Sequence, residues 1–193
     1  MFMNNLIAPL EAVLFASGEP VATQQLMEIL SIDEENVHEL IEAFDARLKE
    51  RESGLMLQQV AGGWQLVTRP EHFTFVEKLS QTKDRKLTAA ALETLSIIAF
   101  KQPITKQEIE HIRGVRIERV MSRLLELELI KELGRKAVVG RPILYGTTDT
   151  FLKCFGLNRL EDLPELPTAD ISQLEEHEQL LLFSEEELSK DEY

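Results

Sequence analysis

The chain has 193 residues, 34 acidic against 21 basic, and a formal net charge of −13. One cysteine, Cys154, excludes an internal disulfide framework and fits a reducing compartment. There is no basic leader with a long apolar run and no stretch of the roughly 20 apolar residues that a bilayer span needs, so the sequence reads as soluble and cytosolic.

In chain order, Asn4 or Asn5 is placed to cap a first helix on which Leu6, Leu10, Val13 and Leu14 recur at helical spacing, and Gly18-Glu19-Pro20-Val21 stops it. A short helix follows with Leu26, Ile29 and Leu30 as its expected core positions. Ser31 and Glu34 then have the spacing of a capping box. Val37, Leu40, Ile41, Phe44 and Leu48 form the clearest amphipathic stripe in the chain. Leu55–Val60 and Trp64–Thr68 flank Gly62-Gly63, which predicts a hairpin whose turn uses the positive φ open to both glycines. Pro70 is placed to start a closing helix through Leu79, with Phe73 and Val76 facing inward.

The pattern then repeats. Ala89–Phe100 carries Leu92, Leu95 and Ile98 on a broad apolar face, and Pro103 ends it. Thr105 and Glu108 have capping-box spacing at the start of a second helix that Gly114 breaks. A third helix begins near Arg116 with Ile117, Val120, Met121, Leu124 and Leu125 on one side. Leu129–Leu133 and Pro142–Gly146 alternate like paired strands around a basic loop bracketed by Gly134 and Gly140. Pro20 maps onto Pro103 at an offset of 83, which also puts Val21 on Ile104, Leu26 on Ile109 and Ile29 on Ile112. That period is too long for a solenoid and suits tandem domains.

Three helices and a hairpin, twice, predict a mainly α fold with small β-hairpins (α+β), organised as tandem winged helix-turn-helix domains. The expected boundaries are an N-terminal domain at 1–80, a charged linker at 81–86 and a C-terminal domain at 87–164. The last folded part includes a short helix capped by Thr148 or Asp149. Residues 165–193 form an acidic tail, expected to be disordered when alone, with an apolar cluster at Leu180–Phe183. Charge follows these divisions. Residues 1–86 carry about −6, 87–164 about +2 and 165–193 about −9.

Catalytic patterns are missing from the residues. No glycine-rich loop lies between a strand and a helix, so no nucleotide fingerprint is present. His38, His72, His111 and His177 are scattered and share no metal-ligand spacing with Cys154. Cys154, between Leu152 and Phe155, is expected to be a packed core thiol. Glu108 and Glu110 point to different helix faces, and Glu185–Glu187 reads as a solvated charge run. The reading is therefore no enzyme, no cofactor and no metal. One polar feature stands out: Arg116, Arg119 and Arg123 share a face of the third helix of the second domain, with Arg113 just before the turn and Arg135, Lys136 and Arg141 in the wing. In a winged helix that face can meet DNA. Glu118, Glu126 and Glu128 dilute its potential, and a domain charge of +2 predicts at most weak, nonspecific contact.

Leu92–Thr105, Ile112-Arg113-Gly114-Val115, Gly134-Arg135 and Gly140–Thr148 closely resemble the segregation and condensation protein B (ScpB) family. Phe151-Leu152, Phe155-Gly156-Leu157, Leu160 with Asp162-Leu163-Pro164, and Leu10–Pro20 continue the resemblance over roughly residues 6–164. The resemblance implies a non-enzymatic homodimer that binds the kleisin ScpA, and through ScpA an SMC ATPase. Such a protein supports chromosome condensation and segregation during cell division, in the cytoplasm on the nucleoid. It implies pairing mainly through the first domain and kleisin binding largely through the second. The competing expectation from the residues is a winged-helix DNA-binding transcriptional regulator.

Overall fold

A computed structural model of the chain describes residues 2–79 and 87–165. The expected linker at 81–86 and the acidic tail with Leu180–Phe183 lie outside the described residues.

The first helix, α1, spans Phe2–Ser17, so Asn4 and Asn5 lie inside it and do not cap it. Ile7, Leu10 and Leu14 turn into the core, while Phe15 is 76% exposed. The two-residue strand β1 (Val21–Ala22) leads into α2 (Thr23–Leu30) and then α3 (Glu34–Glu50). Asp33 caps α3, its carboxylate accepting the Asn36 N–H at 2.9 Å. Ser31 has another task than the sequence pattern suggests: it takes the left-handed conformation (φ 56°) that ends α2. The predicted stripe on α3 is buried in full: Val37, Leu40, Phe44 and Leu48 are wholly inaccessible, with Ile41 beside them. Ile29, expected in the core, is half exposed because the buried face of this short helix is narrow and centres on Leu26.

The hairpin pairs β2 (Leu55–Val60) with β3 (Gly63–Thr68), and β1 adds to the other edge of β3, giving the order β1-β3-β2. Val60 opposite Gly63 leaves a two-residue turn of Ala61 and Gly62, both at positive φ (49° and 76°). The turn is thus one residue earlier than the sequence suggests. Gly63 lies in the strand, where a Cβ would meet the Val21 backbone at 2.9 Å. The closing segment is a 3₁₀ turn at Pro70–His72, a single helical turn α4 (Phe73–Val76) and a second 3₁₀ turn at Glu77–Leu79. Phe73 and Val76, expected to face inward, are exposed, as is Leu79. So short a segment has no face that can cover them.

The second set of elements is α5 (Ala89–Lys101), β4 (Ile104–Thr105), α6 (Lys106–Arg113), α7 (Glu118–Glu126), β5 (Ile130–Arg135), β6 (Ile143–Thr147) and α8 (Asp149–Phe155). The sheet order β4-β6-β5 repeats that of the first. Helix α5 buries Ala91, Thr94, Leu95, Ile98 and Ala99. Leu92, expected on the buried face, is 43% exposed because Ala91 and Thr94 take the inner positions. Helix α7 starts at Glu118, later than predicted, with Ile117 buried at its N-cap. Thr148 caps α8, accepting the Phe151 N–H. Cys154 is exposed, contrary to the packed thiol expected; only Phe151 on this short helix is buried.

The described residues up to Asp162 fall into one compact unit. Two backbone contacts join its halves: Ala61 N–H donates to the Leu157 carbonyl at 2.9 Å, and Gly62 N–H to the Asn158 carbonyl at 3.1 Å. The Asn158 side-chain oxygen also accepts from Gly62 N–H at 2.9 Å, and Lys153 pairs with Glu19 at 2.6 Å.

Candidate functional site

An open concavity lies where α5 ends and α6 begins. Gln102 closes α5 and its side chain reaches across to β6. Its Oε1 accepts the Thr147 N–H at 2.8 Å and its Nε2 donates to Thr147 Oγ1 at 2.9 Å. The Gln102–Pro103 peptide is cis. Ile104 and Thr105 then pair with Tyr145 and Leu144. At the start of α6 the predicted capping box is complete: Glu108 N–H donates to Thr105 Oγ1, and the Glu108 carboxylate accepts the Thr105 N–H at 2.9 Å. The result is an open groove of about 590 Å³ lined by Lys101, Pro103, Ile104, Gln107, Glu108, His111 and Ile112. Pro103, Ile104 and Ile112 supply its apolar lining, and Ile112 is 47% exposed.

The charges around the groove are largely engaged with one another. Lys136, just past the end of β5, pairs with Glu108 at 2.5 Å. That contact, with the Thr105 hydroxyl and N–H, lowers the Glu108 pKa to about 2. Lys106 donates to Glu118 at 2.6 Å and approaches Glu110 at 3.6 Å, tying α6 to α7; the Glu118 contact raises the Lys106 pKa and lowers that of Glu118. Glu110 also accepts the Ile117 N–H at 3.2 Å, which holds the turn between the two helices. Sequence reasoning found the Thr105–Glu108 box but not Lys136, because 28 residues separate it from Glu108.

The arginines singled out in the sequence do not all share one fate. Arg116, Arg119 and Arg123 are exposed on or next to α7, but Arg123 pairs with Glu126 at 3.2 Å. Arg113 is withdrawn from the surface: its side chain is 10% exposed, donating to Thr94 Oγ1 at 2.6 Å and the Ala90 carbonyl at 2.9 Å and pairing with Glu93 at 3.0 Å. Between β5 and β6, Arg135 donates to the Arg141 carbonyl and Lys136 is taken by Glu108. Three of the seven basic side chains that could have met a phosphate backbone thus bind carboxylates within the second set of elements (Arg113, Arg123 and Lys136). Among the described residues no group of three or more His, Cys, Asp or Glu side chains is placed to hold a metal ion. No helix among them is long and apolar enough to cross a membrane.

The comparisons with known proteins point the same way along nearly the whole described chain. The family model for "Segregation and condensation complex subunit ScpB" matches residues 8–166. A segregation and condensation protein B of Symbiobacterium thermophilum is 47% identical over 172 residues, covering 88% of this chain and 78% of the relative. That of Brevibacillus brevis is 42% identical over 194 residues, covering 99% and 100%. A solved dimer of an ScpB N-terminal domain, complexed with an ScpA peptide, is 27% identical with a TM-score of 0.39, covering 42% of this chain and all of that one. A match from the first core helix to the end of the last turn, spanning both three-stranded sheets and the groove, makes this chain a member of the ScpB family.

Proposed function

We propose that the chain is a non-enzymatic subunit of an SMC–kleisin complex. It binds ScpA, reaches the SMC ATPase through ScpA, and supports chromosome condensation and segregation in the cytoplasm, on the nucleoid. The match of the ScpB family model over residues 8–166 carries this reading. The open apolar groove at α5–α6 supports it, because a groove flanked by a helix and a wing suits an amphipathic partner segment. In this proposal the domain at 87–164 takes the kleisin and the domain at 1–80 pairs two copies. Phe15 on α1 and Phe73, Phe75 and Leu79 in the closing segment supply exposed apolar area for pairing. Arg116, Arg119 and Arg123 add at most weak, nonspecific DNA contact.

The test is co-purification with ScpA encoded in the same genome, with the mass of the assembly measured by light scattering and a DNA-shift assay alongside. The expected result is a stable complex containing two copies of this chain, with weak DNA binding that fades as salt rises. Failure to bind ScpA together with tight binding to one DNA sequence overturns the reading in favour of a transcriptional regulator. A monomer at tens of micromolar overturns the pairing.

A further inference from the structure

The loop after α8 and the turn of the first hairpin form a clasp that the proposed function does not use. In a two-residue hairpin the flanking pair, here Val60 and Gly63, closes the ladder, so the N–H groups of Ala61 and Gly62 point away from it. Both are nevertheless bonded. Ala61 donates to the Leu157 carbonyl, and Gly62 to the carbonyl and the side-chain oxygen of Asn158. These acceptors follow Gly156, which ends α8 at φ 66° and whose own carbonyl accepts from Gln58 Nε2 at 3.4 Å. On the flank, Lys153 Nζ reaches Glu19, in the loop before β1, at 2.6 Å. The clasp is polar throughout. Its side-chain bonds lie at the surface, and among the described residues the core cluster of the first half draws on residues 6–66 alone. Halves joined by a small polar contact separate more easily than either core unfolds.

We infer that this clasp is a latch with two states: closed, it holds the two halves in one orientation, and open, it frees them as separate folded bodies. The protein rests closed, because the turn amides and their carbonyl partners belong to one chain and meet at high effective concentration. Opening returns both sets of groups to water, where each finds other hydrogen-bond partners. A few bonds therefore set the balance, and any ligand that prefers one state shifts it. The latch makes the orientation of the second half a switchable property of the fold. It stands on contacts within one chain and is independent of the function proposed above.

Amide hydrogen exchange of the full chain, read residue by residue by NMR, tests the latch without any partner. The amides of Ala61 and Gly62 are expected to exchange more slowly than those of an unstructured chain. They are also expected to exchange faster than the amide of the fully buried Phe44, whose exposure needs wider unfolding. Asn158→Ala removes one acceptor and is expected to speed exchange at Ala61 and Gly62 on the order of fivefold, with Phe44 unchanged. Glu19→Lys sets two like charges together at the flank and is expected to speed the same two amides about twofold. Adding Lys153→Glu to Glu19→Lys restores the pair and the wild-type rate. A purely local role for Asn158 would leave Ala61 and Gly62 indifferent to the charges at 19 and 153. The inference is overturned if the two amides exchange in the wild type as an unstructured chain does, since no closed state then exists. It is also overturned if they exchange no faster than Phe44, if neither variant speeds them, or if the charge swap fails to recover the wild-type rate.

Discussion

The two halves share a backbone plan but stabilise the same turn with different chemistry. Where Thr105 and Glu108 complete a capping box and recruit Lys136, the first half has Ala22 and Gln25, and only the Ala22 N–H to Gln25 Oε1 bond (3.2 Å) is made. Where Gly114 ends α6 at φ 67°, Ser31 ends α2 at φ 56°. Where Arg113 reaches back to α5, Leu30 is partly buried against the first core. The lesson is that backbone conformation is the invariant part of this plan, and the side-chain chemistry that holds it is the variable part.

The comparison can be broken most decisively in the cores. Phe44 is fully buried in the first half and Leu95 is 1% exposed in the second. Phe44→Ala is expected to cost about 3–5 kcal/mol and Leu95→Ala about 2–5 kcal/mol in urea unfolding. A loss below about 0.5 kcal/mol at Leu95 would mean that α5 is misplaced.

A smaller difference separates two strand glycines. A Cβ on Gly63 meets the Val21 backbone at 2.9 Å, whereas on Gly146 it meets the side chains of Gln102 and Leu133 at 2.5 and 2.6 Å. Backbone cannot step aside, so Gly63→Ala is expected to cost about 1–3 kcal/mol. Gly146→Ala is expected to cost nearer 1 kcal/mol, the value of a displaced Gln102 hydrogen bond. Thermal denaturation of the two variants ranks them, and the reverse order would refute the contrast.

Acid distinguishes the halves more gently. The folded Glu108 pKa of about 2 lies below its ordinary 4.5, so the unfolded chain binds the extra proton in that window. The stability Glu108 contributes is complete above pH 4.5 and is lost as pH falls toward 2. Gln25 at the matching place does not titrate. Glu108→Gln is therefore expected to flatten the drop in melting temperature between these pH values, while Gln25→Ala leaves its slope unchanged. The smallest effect is expected at Arg119, whose replacement by Ala should change stability by less than about 0.5 kcal/mol.

Much of the fold was legible because apolar period is a local property. The stripe from Val37 to Leu48 and the Thr105–Glu108 box lie within short windows, and both appear in the structure. The misses in burial share one cause. Whether Ile29, Phe73, Val76, Leu92 or Cys154 is covered depends on what packs above it, and short helices such as α2 and α8 bury only one or two positions. The groove was only partly legible. Its cap could be read from spacing, but the Lys136 contact and the Gln102 bridge to Thr147 join residues 28 and 45 apart.

The hairpin turn at Ala61–Gly62 has a consequence for how its edge meets other chains. Its two N–H groups already bind the carbonyls of Leu157 and Asn158. Those carbonyls belong to the same chain, so the turn meets them at an effective concentration on the order of millimolar. An outside strand seeking those amides would have to outcompete this internal neighbour, so the tip of the first sheet is guarded against edge-to-edge aggregation without a proline or a charge at the turn.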